Sequence, residues 1–174
     1  NDDSKISKLK NNQLYIKEKN LAKLFNSKKV KNNFSAHLVE DNGVFFDTNF
    51  EIIIIAVGTP STLGKVNLNY VIKVLKLIKN KLKKTTTHTS IVIKSTVPPG
   101  TTDTIAKKIL HDRFNSDKIG IGMNPEFLRE GSAINDFINS DRIVIGYEDD
   151  NTKKKLIKLY QSWSCEKIIT NSRT

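Results

Sequence analysis

Residues 51–57 limit the fold of this chain more than any other stretch. They read Glu-Ile-Ile-Ile-Ile-Ala-Val, an apolar run in which polar residues do not alternate with apolar ones. A strand with one wet face alternates, whereas an unbroken β-branched run of strand length is typical of a strand buried on both faces of a parallel sheet. We therefore predict a parallel sheet with helices covering both faces.

Strands and helices alternate from residue 51 onward. A helix from about Asn67 to Lys84 carries a buried stripe of apolar residues at the i, i+3, i+4 spacing, and residues 90–94 form a second buried strand. Further strands are predicted at 118–123, 142–146 and 167–170, with helices beginning at Thr101 or Thr102 and at about Asn151. This alternation predicts an α/β fold, namely a Rossmann-like, mostly parallel sheet with helices on both faces.

The first fifty residues are predicted to be less regular. A short helix near the N-terminus has Asp2, Asp3 or Ser4 as its cap, and a second runs from about Glu18 to Phe25. Residues 34–38 alternate as a strand would, and residues 41–43, Asp-Asn-Gly, predict a turn.

Composition excludes several classes of protein. The 174 residues fit one domain, and no apolar run approaches the ~20 residues of a membrane helix. The single cysteine allows no internal disulfide and suits a reducing compartment, so a cytoplasmic location is expected. The net charge of +11 has two readings, a polyanion partner or solvated helix faces. We favour the second, with no membrane or nucleic-acid partner, because no stretch interleaves aromatic with basic residues.

Three loops follow predicted strands, at residues 57–61, 95–102 and 124–131. Loops that follow parallel strands leave the sheet at one edge, where ligands of open α/β sheets bind. These loops supply hydroxyls, two carboxylates and an arginine, and helix N-termini with hydroxyls favour phosphates. The sequence therefore predicts a site for a phosphorylated or nucleotide ligand.

Motifs for other chemistry are weak. No Gly-x-Gly-x-x-Gly is present, so motif evidence alone assigns no dinucleotide. His37, His88 and His111 lack ligand spacing, and no metal site is predicted. Cys165 is interpreted as a structural thiol rather than a nucleophile.

The three loops together resemble a known family. Residues 55–61 read Ile-Ala-Val-Gly-Thr-Pro-Ser, residues 94–101 read Lys-Ser-Thr-Val-Pro-Pro-Gly-Thr, and residues 124–132 read Asn-Pro-Glu-Phe-Leu-Arg-Glu-Gly-Ser. Asp136 and the Arg-Ile-Val-Ile-Gly of residues 142–146 follow. In this order the chain resembles, over almost its whole length, the UDP-glucose dehydrogenase family, which includes the GDP-mannose and N-acetyl-hexosamine nucleotide-sugar dehydrogenases.

The resemblance implies an NAD-dependent oxidoreductase. Such an enzyme oxidises the primary alcohol of a nucleotide sugar twice, here UDP-glucose to UDP-glucuronate, through a cysteine thioester that water hydrolyses. The Phe-Leu-Arg-Glu-Gly form favours UDP-glucose or GDP-mannose over N-acetyl sugars. NAD is the implied cofactor, a nucleotide sugar the implied substrate, polysaccharide biosynthesis the implied setting, and a homo-oligomer the implied state of the full-length protein.

The same resemblance implies the residues that bind the cofactor. Ser95 and Thr96 resemble contacts near the nicotinamide, Glu130 reaches the cofactor, and Lys5 stands where a basic residue near the adenine ribose is usual. The residues that resemble the loop over the adenosine and pyrophosphate are Val57, Thr59, Pro60 and Ser61.

It also implies the residues that act on the substrate. The predicted catalytic residues are Glu126, which resembles the carboxylate assisting proton transfer and hydrolysis, and Thr96, which positions the hydrolytic water. The predicted substrate-binding residues are Glu126, Phe127, Leu128, Arg129 and Glu130.

Parts of the family's machinery fall outside the sequence. The glycine-loop strand and ribose-binding acid would precede Asn1, and the catalytic cysteine would follow Thr174, since Cys165 does not match it. We therefore expect residues 1–174 to form a single, incomplete dinucleotide-binding domain without the C-terminal substrate domain, inactive alone. A non-catalytic nucleotide-binding remnant and, more remotely, a basic nucleic-acid-binding domain are the alternatives.

Overall fold

The computed structural model describes residues 2–38, 49–62, 64–82 and 87–173. The described residues fall into two compact units. The larger lies within Phe46–Glu126 and Asp141–Thr174, and the smaller within Asn1–Phe45 and Phe127–Ser140. The predicted turn at residues 41–43 lies outside the described residues.

The larger unit contains all the strands found among the described residues. They are β1 (Ile52–Ile55), β2 (Ser61–Thr62), β3 (Lys65–Val66), β4 (Thr89–Ile93), β5 (Ile119–Met123), β6 (Arg142–Tyr147) and β7 (Glu166–Asn171). Its helices are α4 (Asn69–Lys81), a π-helical turn (Thr102–Ala106) that continues into α5 (Lys107–His111), and α7 (Asp150–Leu159). The smaller unit contains α1 (Asp3–Lys10), α2 (Leu21–Phe25), α3 (Lys28–Asn33) and α6 (Ala133–Ile138).

The main sheet has five strands in the order β1-β4-β5-β6-β7. β1 and β4, β4 and β5, and β6 and β7 are parallel pairs, whereas β5 and β6 are antiparallel. Ile55 is in register with Ile93, and Ile93 with Met123, so β1, β4 and β5 end level with one another. The predicted mostly parallel, Rossmann-like α/β sheet is confirmed, and the loops that follow these three strands leave at the same edge.

One face of the sheet packs on α4 and on the helix that follows β4. The stripe predicted on α4 is buried, since Val71 and Leu75 are fully inaccessible and Ile78 is 2% exposed. β4 contributes Ile91 and Ile93 to the same cluster. This burial of aliphatic side chains, worth roughly 1.5–3 kcal/mol each, fixes the strands whose ends carry the site.

α7 packs on the other face over β4, β5 and β6. Gly120 permits its close approach, because a Cβ there would overlap the side chains of Asp149 and Thr152. In the described part of the chain, Ile54 of β1 on this face is 44% exposed. Burial on both faces was therefore a wrong prediction for β1, although all five residues of β4 are buried.

Helix boundaries differ from the predictions where local hydrogen bonds compete. The Asn67 side chain accepts a hydrogen bond from the Asn69 amide, but the residue at the N-cap of α4 is Leu68 rather than the predicted Asn67, and α4 ends at Lys81. Thr101 stands at the N-cap of the next helix without a side-chain capping bond, since its hydroxyl donates to the Pro98 carbonyl. The helix predicted from about Asn151 to Trp163 is α7, which ends at Leu159.

The smaller unit begins with a capped helix. The Asp2 side chain accepts from the Lys5 amide at 3.1 Å, which confirms the predicted N-cap. Residues 34–38 are irregular, so the predicted strand there is wrong. Phe34 ends α3 and packs edge-on against Phe25 with ring centroids 5.5 Å apart, so the alternation does not mark a sheet face. Within the described ranges, none of the helices is long and apolar enough to cross a bilayer.

Candidate functional site

The loops that follow β1 and β4 are fastened to each other at the sheet edge. The Ser95 hydroxyl, 6% exposed, donates to the Val57 carbonyl at 2.7 Å. The Thr59 hydroxyl donates to the Thr96 carbonyl at 2.8 Å. Both side-chain bonds fix the neighbouring backbone, and the Thr96 side chain itself is exposed to solvent.

The same edge leaves room for a ligand. At Gly58 an added Cβ would meet no atom within 4 Å, so the main chain between Val57 and Thr59 borders open space. Gly100 turns the second loop with φ of 83°, a conformation that L side chains rarely adopt. Exposed main chain beside hydroxyls is the arrangement that accommodates a phosphorylated ligand.

The loop that follows β5 is anchored by Asn124, which is 2% exposed. Its side-chain amide donates to the Val144 carbonyl at 2.8 Å, and its side-chain oxygen accepts from the Lys94 ammonium at 3.1 Å. The Tyr160 hydroxyl donates to the same oxygen. The half-buried Glu126 comes two residues later and interacts electrostatically with Lys94.

Lys94 and Tyr160 are perturbed by this environment. Burial lowers the pKa of Lys94, and the nearby Glu126 carboxylate opposes part of that shift. Burial raises the pKa of the Tyr160 hydroxyl. A partly buried cation beside a carboxylate, at the end of a central strand, is typical of functional sites.

Pro60 and Ser61 belong to the larger unit, where the Ser61 hydroxyl lies 3.5 Å from the Lys65 carbonyl oxygen. The predicted site residues Lys5 and 127–130 belong to the smaller unit. The Lys5 ammonium lies 3.4 Å from the Asp2 carboxylate, and the two form an exposed ion pair. Phe127 and Leu128 are 52% and 40% exposed, and Glu130 is also exposed.

Arg129 is engaged within its own loop. Its side chain makes two hydrogen bonds to the Asp136 carboxylate, at 3.1 and 2.7 Å, and its main-chain amide makes a third at 2.9 Å. These bonds to Arg129 lower the pKa of Asp136 to about 2. The predicted substrate-binding segment is therefore a closed loop whose arginine is held by Asp136.

Among the predicted site residues, the structure brings Val57, Thr59, Ser95 and Thr96 into one hydrogen-bonded pair of loops. Sequence reasoning missed Lys94, Asn124 and Tyr160, which hold the third loop. The signal was weak but present, since Lys94 is a charged residue directly after the apolar strand at 90–93, and Asn124 opens the loop after β5.

The part of the chain that the structure describes contains no group of side chains that could bind a metal ion. There, no three His, Cys, Asp or Glu side chains come together in a way that could hold an ion. His88 and His111 each lie near one carboxylate, Asp149 at 3.2 Å and Glu148 at 3.9 Å respectively. Cys165 is a half-buried free thiol.

A Rossmann-like sheet with hydroxyl-bearing loops at the carboxyl ends of its parallel strands defines a dinucleotide-binding class of α/β protein. Comparison with known proteins makes this specific. The model of the UDP-glucose/GDP-mannose dehydrogenase family, NAD binding domain, matches residues 1–164. The chain belongs to this family.

Two curated relatives illustrate the likeness. The UDP-glucose 6-dehydrogenase of Rickettsia prowazekii (strain Madrid E) is 38% identical over 168 residues, covering 92% of this chain and 35% of that protein. UDP-glucose 6-dehydrogenase TuaD of Bacillus subtilis (strain 168) is 38% identical over 175 residues, covering 98% and 36%. The chain thus spans about a third of the length of these relatives.

Solved structures agree. A UDP-glucose dehydrogenase from the hyperthermophilic archaeon Pyrobaculum islandicum superimposes with a TM-score of 0.86 at 30% identity, over 99% of this chain and 39% of that one. A GDP-mannose dehydrogenase from Pseudomonas aeruginosa, in a ternary complex, gives a TM-score of 0.88 at 26% identity, over 99% and 40%.

The family model is that of an NAD binding domain, which confirms NAD as the cofactor that the sequence predicts. The residues present fit part of such a ligand. The open space at Gly58 leaves the main chain there accessible to a ligand without a clash with a side chain.

Proposed function

We propose that this chain is the NAD-binding portion of a nucleotide-sugar dehydrogenase that oxidises the primary alcohol of UDP-glucose to the carboxylate of UDP-glucuronate. The observation that carries the proposal is the convergence of the loops after β1, β4 and β5 at one sheet edge, in a chain of this family. Oxidation of an alcohol to an acid removes two hydrides in succession, which is the chemistry that NAD supplies when bound.

The first two loops hold the cofactor in this proposal. The main chain beside Gly58, with Val57, Thr59, Pro60 and Ser61, faces the adenosine and pyrophosphate. Ser95 acts through its bond to the Val57 carbonyl, which fixes the loop that the cofactor contacts. Thr96 is exposed and available to a water or to the nicotinamide end. Lys5 and Glu130 are the outlying cofactor contacts.

Glu126 is the proposed general base. Each oxidation releases a proton as well as a hydride, and the hydrolysis that follows requires a proton to leave a water molecule. A half-buried carboxylate that interacts electrostatically with a lysine ammonium can accept that proton. Thr96 would position the water, and Phe127, Leu128, Arg129 and Glu130 would bind the sugar nucleotide.

The experiment measures NADH formation by the protein at its native length, isolated from its own source. UDP-glucose, GDP-mannose and a UDP-N-acetyl sugar are compared at equal concentration. We expect turnover of UDP-glucose to yield two NADH per uronate, consistent with a double oxidation. NAD and nucleotide-sugar binding without turnover would instead identify a binding remnant, and turnover of GDP-mannose alone would change the substrate.

A carboxylate variant tests the proposed base. Glu126→Gln should lower kcat roughly 10²–10⁴-fold, because the amide cannot accept the proton. Glu166→Gln makes the same chemical change at an exposed position of β7 and serves as the matched control, with unchanged kcat. Equal activity of the Glu126→Gln variant and the native protein would remove Glu126 from this role.

The remaining proposals concern the setting. We place the protein in the cytoplasm, as a homo-oligomer at full length, supplying uronate for polysaccharide biosynthesis. The free thiol of Cys165 suits a reducing compartment. Cell fractionation and sedimentation measure these two points. A steep salt dependence of binding to random DNA would favour the nucleic-acid alternative, since neutralised phosphates release counterions.

A further inference from the structure

Lys94 occupies a costly position at the end of β4. The residue is half-buried, and a buried ammonium is unfavourable unless hydrogen-bonded or paired with an opposite charge. Its Nζ lies 3.1 Å from Oδ1 of Asn124 and 3.5 Å from the Asn124 carbonyl oxygen. A neutral residue would avoid the free-energy cost of burying a charge. The presence of a lysine here therefore suggests that its charge has a function.

Through its other hydrogen bonds, Asn124 fixes the start of the loop that follows β5. Its amide group donates to the Val144 carbonyl at 2.8 Å on β6, and its main-chain N–H donates to the Ile93 carbonyl at 2.9 Å on β4. Its side-chain oxygen receives both the Lys94 ammonium and the Tyr160 hydroxyl. The residue is thereby held by two strands, a lysine and the end of α7.

The charge also reaches the carboxylate that follows. Glu126 is two residues beyond Asn124, and its negative charge acts on Lys94 with a sign that favours the ammonium form. The Tyr160 ring lies 6.0 Å from the same ammonium. Because Lys94 is half-buried, its electrostatic interaction with Glu126 is stronger than the same interaction would be in water.

We propose that Lys94 is a positioning residue of the candidate active site, which fastens the start of the Asn124–Glu126 loop through its hydrogen bonds to Asn124 and interacts electrostatically with the Glu126 carboxylate that the loop carries. The catalytic consequence rests on the proposed dehydrogenase function, whereas the electrostatic pairing of Lys94 with Glu126 does not. Lys94 acts through Asn124 and Glu126 and is not assigned a contact with substrate.

Kinetics of the protein at its native length test the catalytic consequence. Lys94→Met should lower kcat about tenfold or more with less than about a twofold change in the KM for NAD. The loss should fall on kcat, because a loop that is no longer fastened misplaces the Glu126 carboxylate without removing a contact with the cofactor. Lys94→Arg keeps a charged hydrogen-bond donor and should restore most of kcat.

Lys76→Met is the matched control. It makes the same chemical change at an exposed position of α4, so kcat and the KM for NAD should stay unchanged. If Lys94→Met lowers only the Tm and leaves kcat at its native value, Lys94 is merely structural and the proposal fails.

The closing experiment requires no turnover. The pKa of Lys94 is followed by nitrogen-15 NMR of its side chain in this chain and in its Glu126→Gln variant. We expect a lower pKa in the variant, since the Glu126 carboxylate opposes the effect of burial. An unchanged pKa overturns the pairing. A lowered pKa in a protein that forms no NADH from any nucleotide sugar would instead sustain the pairing and reject the dehydrogenase.

Discussion

Two polar regions of the larger unit use their side chains in different ways. At the loop edge, defined as residues 57–61, 95–96 and 124–126, hydroxyls bond to main-chain carbonyls, as Thr59 does to Thr96 at 2.8 Å. In the α7 cluster, side chains also bond to one another, as Ser90 does to Thr152. The cluster comprises His88, Ser90, Asp149, Thr152 and Lys155.

The α7 cluster joins α7 to the sheet. Ser90 and Thr152, both fully buried, share a hydroxyl–hydroxyl bond of 2.9 Å, and Asp149 accepts from the Thr152 amide at 2.9 Å. Lys155 lies 3.2 Å from the His88 ring nitrogen and donates to the Glu51 carbonyl at 3.1 Å. These bonds hold α7 on the sheet, whereas the hydroxyls of the loop edge fix main chain and leave a shaped surface open. The difference separates structural polarity from a site able to admit a ligand.

Two glycines sharpen this comparison and give the largest expected effect. Gly120 lies beneath the α7 cluster, where a Cβ would overlap Asp149 and Thr152, whereas Gly58 at the loop edge faces open space. Gly120→Ala should cost about 3 kcal/mol of unfolding free energy by overpacking. Gly58→Ala should change it by about 0.5 kcal/mol or less. Urea unfolding of both variants measures the difference.

Equal losses at the two glycines would contradict the contrast. An unchanged unfolding free energy of the Gly120→Ala variant would also contradict it. That result would require the side chains of the α7 cluster to be loose enough to move aside.

The second prediction uses pH to probe the α7 cluster. Burial lowers the pKa of His88 from its usual 6.5 and outweighs the attraction of Asp149, while the Lys155 ammonium adds to the lowering. The unfolded chain therefore binds a proton on His88 at a pH where the native protein does not. Stability from this group is complete above pH 6.5 and declines as pH falls toward the lower native pKa.

The slope for one proton is at most about 1.4 kcal/mol per pH unit. His88→Gln should flatten the dependence of unfolding free energy on pH below pH 6.5. The groups that face His88 are Asp149 and Lys155, and Glu148 pairs instead with Lys107 and His111. An unaltered slope in the variant would assign the titration to another group.

The two apolar strands show what sequence could and could not predict. Both β1 and the run from Ser90 to Ile93 were predicted as fully buried. β4 is buried throughout, but Ile54 of β1 is 44% exposed. Periodicity identifies a strand and shows which residues share a face. Whether each face is buried depends on where α7 packs, which is a matter of tertiary structure.

The loop edge was predictable for a different reason. The loops that follow parallel strands lie at one edge of the sheet whatever the intervening helices do. The sequence alone therefore predicts that Thr59 and Thr96 lie close together. Lys94 was missed because its significance depends on Asn124 and Tyr160, thirty or more residues away. A lysine after a strand has no pattern that reveals a buried partner.

The smallest expected effect lies within the loop edge and compares two hydroxyls. The buried Ser95 hydroxyl donates to Val57 at 2.7 Å, so Ser95→Ala should cost about 1 kcal/mol and leave that carbonyl unsatisfied. Thr59→Val removes a more exposed bond and should cost about 0.5 kcal/mol, since water can replace the lost partner. If the loop edge exists to shape main chain for a cofactor, Ser95→Ala should also weaken NAD binding in calorimetry more than Thr59→Val does. The reverse order would mean that the Thr59 hydroxyl touches the cofactor directly, and that its bond to Thr96 is incidental.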